Sequence, residues 1–227
     1  MENNRHMRRV RSFVRRPGRL TPAQKRALEQ RLPHYQVPAD TTDLRDGFER
    51  VAPLVVEIGF GNGDALAWMA ANEPEKNFVG MEVHEPGVGR LLNRLDAAGL
   101  TNVRVIMRDA VDVLSSQVAP ASLDEVRIYF PDPWPKKRHH KRRLIQPAFL
   151  QKLAAVMRPQ GILHLATDWA PYAQWMLEAL EQVDAFRIQG DPWSPRPDWR
   201  PQTHFERRGL GKGHEIFDIV CRFSAGA

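Results

Sequence analysis

The amino-acid sequence predicts an α/β fold: an open, mainly parallel seven-stranded sheet with helices on both faces. Three observations carry the prediction. Short β-rich runs alternate with helical stretches from about residue 50 onward. A turn with glycine at every second position, Gly59-Phe-Gly61-Asn-Gly63, joins the first run to the first helix. Acids close five consecutive runs, at Glu57, Glu82, Asp109, Asp132 and Asp168, and open parallel sheets bind ligands outside the carboxyl ends of their strands.

The elements follow in order. Leu54-Val-Val-Glu-Ile58 has the pattern of a buried strand. After the glycine turn, 64–71 reads as helix, 77–83 as the second strand and 87–99 as helix. The third strand, 103–107, runs into Arg108-Asp109, and the fourth, 125–130, into Pro131-Asp-Pro-Trp134. Pro147 opens a helix that reaches residue 157 and that Arg158-Pro-Gln-Gly161 ends. A fifth strand over 161–166 and a helix over 172–183 come next. The last two strands, 186–188 and 215–223, are separated by a loop rich in Pro, Trp and Gly. No internal repeat is visible.

At 227 residues, 42% of them hydrophobic, the chain has the size of one domain with a substantial core. One cysteine, Cys221, permits neither an internal disulfide nor a cysteine-rich zinc module. No apolar run has the length of a membrane span or of a secretory signal, so a reducing cytoplasm is the expected compartment. The net charge of +6 is unevenly distributed. Residues 1–30 carry nine Lys or Arg against Glu2 and Glu29, and residues 136–143 carry six and no acid. The rest of the chain is therefore net acidic. Two concentrated basic patches on an acidic body suit an extended polyanion, since each cation at a phosphate releases a condensed counterion. Neither patch has the wide apolar face of a membrane-surface helix, which favours nucleic acid. Residues 1–49 read as a basic N-terminal arm, partly flexible, ahead of a domain over 50–227.

The ligand follows from the strand ends. The dinucleotide fingerprint is G-x-G-x-x-G, from which Gly59, Gly61 and Gly63 depart. Glu57 would repel a pyrophosphate and suits a ligand with a positive group. Glu82 can accept both hydroxyls of a ribose, and Asp109 can accept from an adenine amino group. A positive centre, a ribose and an adenine together describe S-adenosyl-L-methionine.

The motifs also resemble a known family. Glu57-Ile-Gly-Phe-Gly-Asn-Gly63, Gly80-Met-Glu-Val-His84, Pro131-Asp-Pro-Trp134 with its basic run, Thr167-Asp168, and Thr203-His-Phe-Glu206 with Arg208-Gly209 and Gly213-His214 are similar to those of tRNA (guanine-N7-)-methyltransferases. The resemblance covers about residues 50–223; Pro135, between Trp134 and the basic run, departs from the family pattern. It implies a Rossmann-like class I methyltransferase fold over 50–227. It also implies tRNA as partner, with no membrane involved, and methyl transfer to N7 of a guanine in the variable loop, position 46 of tRNA. Monomer and homodimer both stay open.

Guanine N7 has a free lone pair, so the reaction needs alignment and charge stabilisation and no deprotonation; no metal is expected. Asp132, held between two prolines, is the catalytic candidate, either stabilising the cationic purine or positioning the base, with Asp168 second. Glu57, Gly59, Gly61, Glu82, Asp109 and Asp132 are the cofactor-binding candidates. The resemblance implies substrate contacts from Lys136, Asp168, Thr203, His204, Phe205 and Glu206. Arg138, Lys141, Arg142 and Arg143 are candidates for tRNA phosphates. Trp134 suits either a base-stacking or a core-capping role. Two rival readings are a binding module on an inactive scaffold and a small-molecule enzyme. The retained acids disfavour the first, and the two basic patches the second.

Overall fold

The computed structural model describes residues 11–13 and 18–224. Seven strands form one sheet in the order β3-β2-β1-β4-β5-β7-β6. They are β1 (Leu54–Ile58), β2 (Asn77–Met81), β3 (Val103–Ile106), β4 (Leu123–Tyr129), β5 (Met157–Thr167), β6 (Phe186–Ile188) and β7 (Phe217–Phe223). The first five pair in parallel, and β7 lies antiparallel between β5 and β6. The order reverses between β1 and β4, and a crevice opens at such a switch point.

The period of two along β1 sets the layers. Leu54, Val56 and Ile58 enter one core cluster and Val55 the other. On the first face pack α5 (Ala110–Ser116), α6 (Pro147–Val156) and α7 (Ala170–Glu181). On the second pack α1 (Pro22–Gln30), α3 (Asp64–Asn72) and α4 (Glu85–Ala97). Covered on both sides, β1 is buried along its whole length, which is why its sequence is almost wholly apolar.

The chain ahead of β1 is partly helical. Thr21 and Gln24 close a capping box at the start of α1, and the Gln24 amide donates to the Pro86 carbonyl at 3.0 Å. A side chain at Gly89 would come within 2.9 Å of the Gln24 backbone, so that glycine lets α1 lie close on α4. A short helix α2 (Leu32–Tyr35) then leads past the edge strand β3, where the Val37 amide donates to the Val105 carbonyl. Val37 and Leu44 end in the opposite core. Residues 21–44 therefore wrap one sheet edge and cover its open ladder. The rest of the expected arm, 1–10 and 14–17, lies outside the described residues.

Two differences from the expected elements have local causes. β5 begins four residues early, because Met157 pairs with Leu123 before the register shifts to Glu125 opposite Ile162. The Pro/Trp/Gly-rich segment leads into an unanticipated helix, α8 (His204–Leu210). Among the described residues no helix is long and apolar enough to cross a membrane.

Candidate active site

A cavity of about 250 Å³ opens over the carboxyl ends of β1, β2 and β4. Its wall is built from the glycine turn upward. Gly59, Gly61 and Gly63 all have positive φ, at 76°, 59° and 74°, where a side chain would be strained. The turn is held from the side by Glu82. One carboxylate oxygen accepts from the Gly61 amide at 2.9 Å, the other from Val83 and His84 at 2.6 and 3.0 Å. From above, the Gly61 carbonyl lies where a Cβ on Gly87 would sit, 2.0 Å away, so α4 can approach only because that residue is glycine.

Four of the five strand-end acids, Glu57, Glu82, Asp109 and Asp132, line this cavity together with Tyr129, Phe130, Thr203, His204 and Phe205. Asp109 also caps α5, accepting from the Val111 amide at 3.1 Å. Asp168 does not line the cavity. It sits against Gly209 of α8 and accepts from His214 Nδ1 at 3.2 Å.

Glu57 is 3% exposed, and its Oε2 has no hydrogen-bond partner among the described residues. Its register partner Arg127 is engaged elsewhere, by Glu73 at 2.8 Å and Glu125 at 2.6 Å. Burial therefore pushes the Glu57 carboxyl up to about 8, against a pull from Arg127 and with Glu82 adding to the rise.

Asp132 is exposed at the cavity mouth, between two residues in the left-handed region: Phe130 at φ 52° and Trp134 at φ 45°. Each costs roughly 1–2 kcal/mol in an L-residue, so contacts must hold them. The Phe130 amide donates to the Ala166 carbonyl at 2.7 Å. The Trp134 indole N–H donates to the Ser12 carbonyl at 3.0 Å, and the Arg142 guanidinium lies 5.0 Å from its ring centre. The indole thus ties the motif to the N-terminal segment.

The basic run does not face one way. Lys136, Arg138 and Lys141 are exposed on and beside a 3-10 turn over Lys137–Arg142. Arg143, expected at a phosphate, is instead 3% exposed. Its Nε donates to the Pro133 carbonyl at 2.9 Å, and its guanidinium is 4.9 Å from the rings of both Tyr172 and Trp175. It braces the Pro-Asp-Pro turn from beneath.

Thr203 and Glu206, expected to touch substrate, are committed to the fold of α8. The Thr203 hydroxyl accepts from the Glu206 amide at 3.0 Å, and the Glu206 carboxylate reaches back to the Thr203 amide. Thr203 still lines the cavity; Glu206 does not. The Glu206 carboxylate is ion-paired to Arg200, whose Nε also meets Asp218 at 2.6 Å. Asp218 accepts from His164 Nε2 at 2.7 Å, and His164 Nδ1 accepts from the Trp199 indole at 3.2 Å and lies 3.1 Å from the Tyr129 hydroxyl. A buried chain of polar groups thus runs from the cap of α8 to Tyr129 on the cavity wall. The local role of α8 leaves His204 and Phe205 exposed at the cavity mouth, Phe205 at 53%, with its ring over Gly61. Phe205, a candidate substrate contact, presents an open aromatic surface.

Signals for the residues that the sequence reading missed were present but weak. A histidine inside the apolar run Gly161-Ile-Leu-His-Leu-Ala166 and an acid inside Phe217-Asp-Ile-Val220 each mark a buried polar group in need of a partner. Nothing local says that the two meet diagonally across β5 and β7, where His164 pairs in register with Val220 and Asp218 with Ala166.

Comparison with known proteins agrees with this architecture. A family model described as a putative methyltransferase matches residues 51–219. The tRNA (guanine-N(7)-)-methyltransferase of Halorhodospira halophila is 53% identical over 220 residues, 95% of either chain. Those of Burkholderia thailandensis and Xanthomonas campestris pv. campestris are 51% and 52% identical over 219 and 217 residues, covering 96% and 94% of this chain and 83% of each relative. Among solved structures, the 16S rRNA methyltransferase KamB superposes with a TM-score of 0.57 at 15% identity, covering 96% of this chain and all of that one. An antibiotic-related methyltransferase gives 0.58 at 14% identity, covering 83% and 97%. At those identities the likeness is one of fold. With about half its residues shared along nearly the whole length, this chain belongs to the tRNA (guanine-N(7)-)-methyltransferase family.

Proposed function

We propose that the chain transfers the methyl group of S-adenosyl-L-methionine to N7 of a guanine in the variable loop of tRNA, at position 46. The observation that carries this reading is the cleft lined by Glu57, Glu82, Asp109 and Asp132, opening beside exposed cations of the basic run. The residues fit the donor. The unpartnered, buried Glu57 oxygen suits its cationic amino-acid end. Glu82 accepts from Gly61 in the glycine turn and from Val83 and His84 just after β2, which leaves one acceptor position for a ribose hydroxyl. Asp109 stands where an adenine amino group can donate.

When bound, the donor supplies a methyl on a positively charged sulfur, so a C–N7 bond forms as the S–C bond breaks and no proton moves. The glycine turn gives a close, side-chain-free floor. Asp132 receives the developing positive charge of the purine, and its rigid Pro-Asp-Pro setting means that no reorganisation is needed when that charge appears. Phe205 offers a face for an extruded base. The lysines and arginines of the 3-10 turn hold phosphates, a sequence-independent attachment that positions the strand.

The titration of Glu57 gives a pH prediction. Unliganded, the group is protonated below about 8, and a bound cation favours the carboxylate. Donor binding near pH 7 should therefore release up to one proton, and affinity should rise with pH until about 8 and then level off. Calorimetry in two buffers of different ionisation enthalpy reads the release directly. In Glu57→Gln both the release and the pH dependence should vanish, with affinity lower by tenfold or more, in line with the roughly 1.5–3 kcal/mol of a charge-assisted hydrogen bond. Equal binding heats in both buffers would contradict the role.

The reading as a whole is tested by incubating the chain with methyl-labelled donor and an unmodified tRNA transcript, then mapping the label after nuclease digestion. Label at N7 of one variable-loop guanine is expected; label on another atom or in another region refutes it.

A further inference from the structure

Beside the cleft, and sharing Ser12, Asp109 and Leu144 with it, lies a second groove between the 3-10 turn and helices α5 and α6. Besides the buried Arg143, four cations line it: Arg11, Lys141, Arg142 and Lys152. Among the described residues none of the four belongs to an ion pair. The one acid in its lining, Asp109, is the cap of α5 at the cleft end. Lys152, on the exposed side of α6, donates to the Ser115 hydroxyl near the other end of α5 at 2.8 Å. The seven residues of α5 span roughly 10 Å at 1.5 Å per residue. The groove is thus an elongated, cationic trough that starts at the cleft and leads away from it.

We infer that this groove carries the phosphodiester backbone of nucleotides flanking the target guanine, with Arg142 and Lys141 on the 3-10 turn and Lys152 on the helix wall. The inference rests on the proposed function and adds a path: the strand leaves the cleft over α5 and α6. Its anionic, extended ligand is set by four lining cations that have no carboxylate partner among the described residues. Its direction is set by the three residues the two cavities share. The contact is one of charge with backbone phosphates, so it contributes affinity and register rather than base choice.

The test is Lys152→Glu in the full chain, with Lys152→Ala beside it. tRNA dissociation constants are measured between 50 and 200 mM KCl, with donor affinity as the report of an intact fold. Lys152→Glu should weaken tRNA binding about tenfold at the lowest salt and reduce the steepness of log K against log salt by about 1, with Lys152→Ala intermediate. Arg187→Glu, the same change of net charge on β6 at the far sheet edge, should leave that steepness alone. Wild-type affinity and slope in Lys152→Glu, or an equal loss in Arg187→Glu, would overturn the groove. An enzyme that methylates tRNA yet ignores Lys152 sinks the groove alone. A chain that binds tRNA through Lys152 but transfers no methyl sinks the proposed function and leaves the groove standing.

Discussion

Asp132→Ala should lower the single-turnover rate of methyl transfer by at least about 10²–10³, the usual effect of deleting one group aimed at developing charge. tRNA affinity should change less than threefold. The reason lies in how the turn is built. Pro131 and Pro133 restrict the backbone around Asp132, and Phe130 and Trp134 are held at positive φ on either side. Arg143 braces the Pro133 carbonyl from below. So much constraint on one exposed carboxylate is an expense to folding that packing does not explain, which points to a demand for fixed geometry at the cleft. The Asn variant separates two roles. Asp132→Asn keeps the shape and an acceptor but removes the charge. A rate as low as that of the Ala variant identifies charge stabilisation, and a rate near wild type identifies positioning of the base. Loss of tRNA binding with an unaltered transfer step in either variant would remove Asp132 from the chemistry.

The second large effect is expected far from the chemistry. Arg200 is 2% exposed and pairs with both Glu206 and Asp218. Removing it leaves Asp218 buried without a guanidinium and Glu206 with only the half-exposed Arg196 at 3.6 Å, which costs about 3–5 kcal/mol. For a chain of this size that corresponds to a fall in Tm of roughly 10 °C. Calorimetric melting of Arg200→Met checks the figure, and a Tm within 2 °C of wild type would contradict it. Because Glu206 also closes the capping box on Thr203, the loss should reach the cleft as a misplaced His204 and Phe205, raising the KM for tRNA while donor affinity holds. The same network fixes the sign of the pH response. Burial lowers His164 below its ordinary 6.5. Burial works to raise Asp218, but hydrogen bonds from His164 and Arg200 outweigh it and hold the group below 3.8. For both groups the contributed stability is complete above the unfolded value and is lost as pH falls toward the folded one. Acid should therefore destabilise the wild type first below about 6.5, through His164, and then below about 3.8.

Most of the sheet was legible because its signals are local. The buried run at Leu54–Ile58, the glycine turn and the strand-end acids each speak for themselves, and together they locate the cleft. What was missed depends on partners distant in sequence. Arg142 and Arg143 are neighbours in one basic run, yet one lies partly exposed over Trp134 and the other is buried against Tyr172 and Trp175; a charge run does not encode which side chain turns inward. The pairing of His164 with Asp218 exists only because β7 inserts antiparallel beside β5. Two helices could have been placed from local signals: Thr21-Pro-Ala-Gln24 and Thr203-His-Phe-Glu206 are both capping-box sequences, and read as such they announce the starts of α1 and α8.

The central claim, attack by guanine N7 aligned in a cleft that removes no proton, is tested most directly by changing a single atom of the substrate. A tRNA transcript carrying 7-deazaguanine at position 46 has carbon in place of the nucleophilic nitrogen and is otherwise unaltered in charge and shape. The expected result is tRNA binding within about twofold of the unmodified transcript and no methyl incorporation under single-turnover conditions. Methyl transfer at an undiminished rate to the deaza transcript would contradict the account.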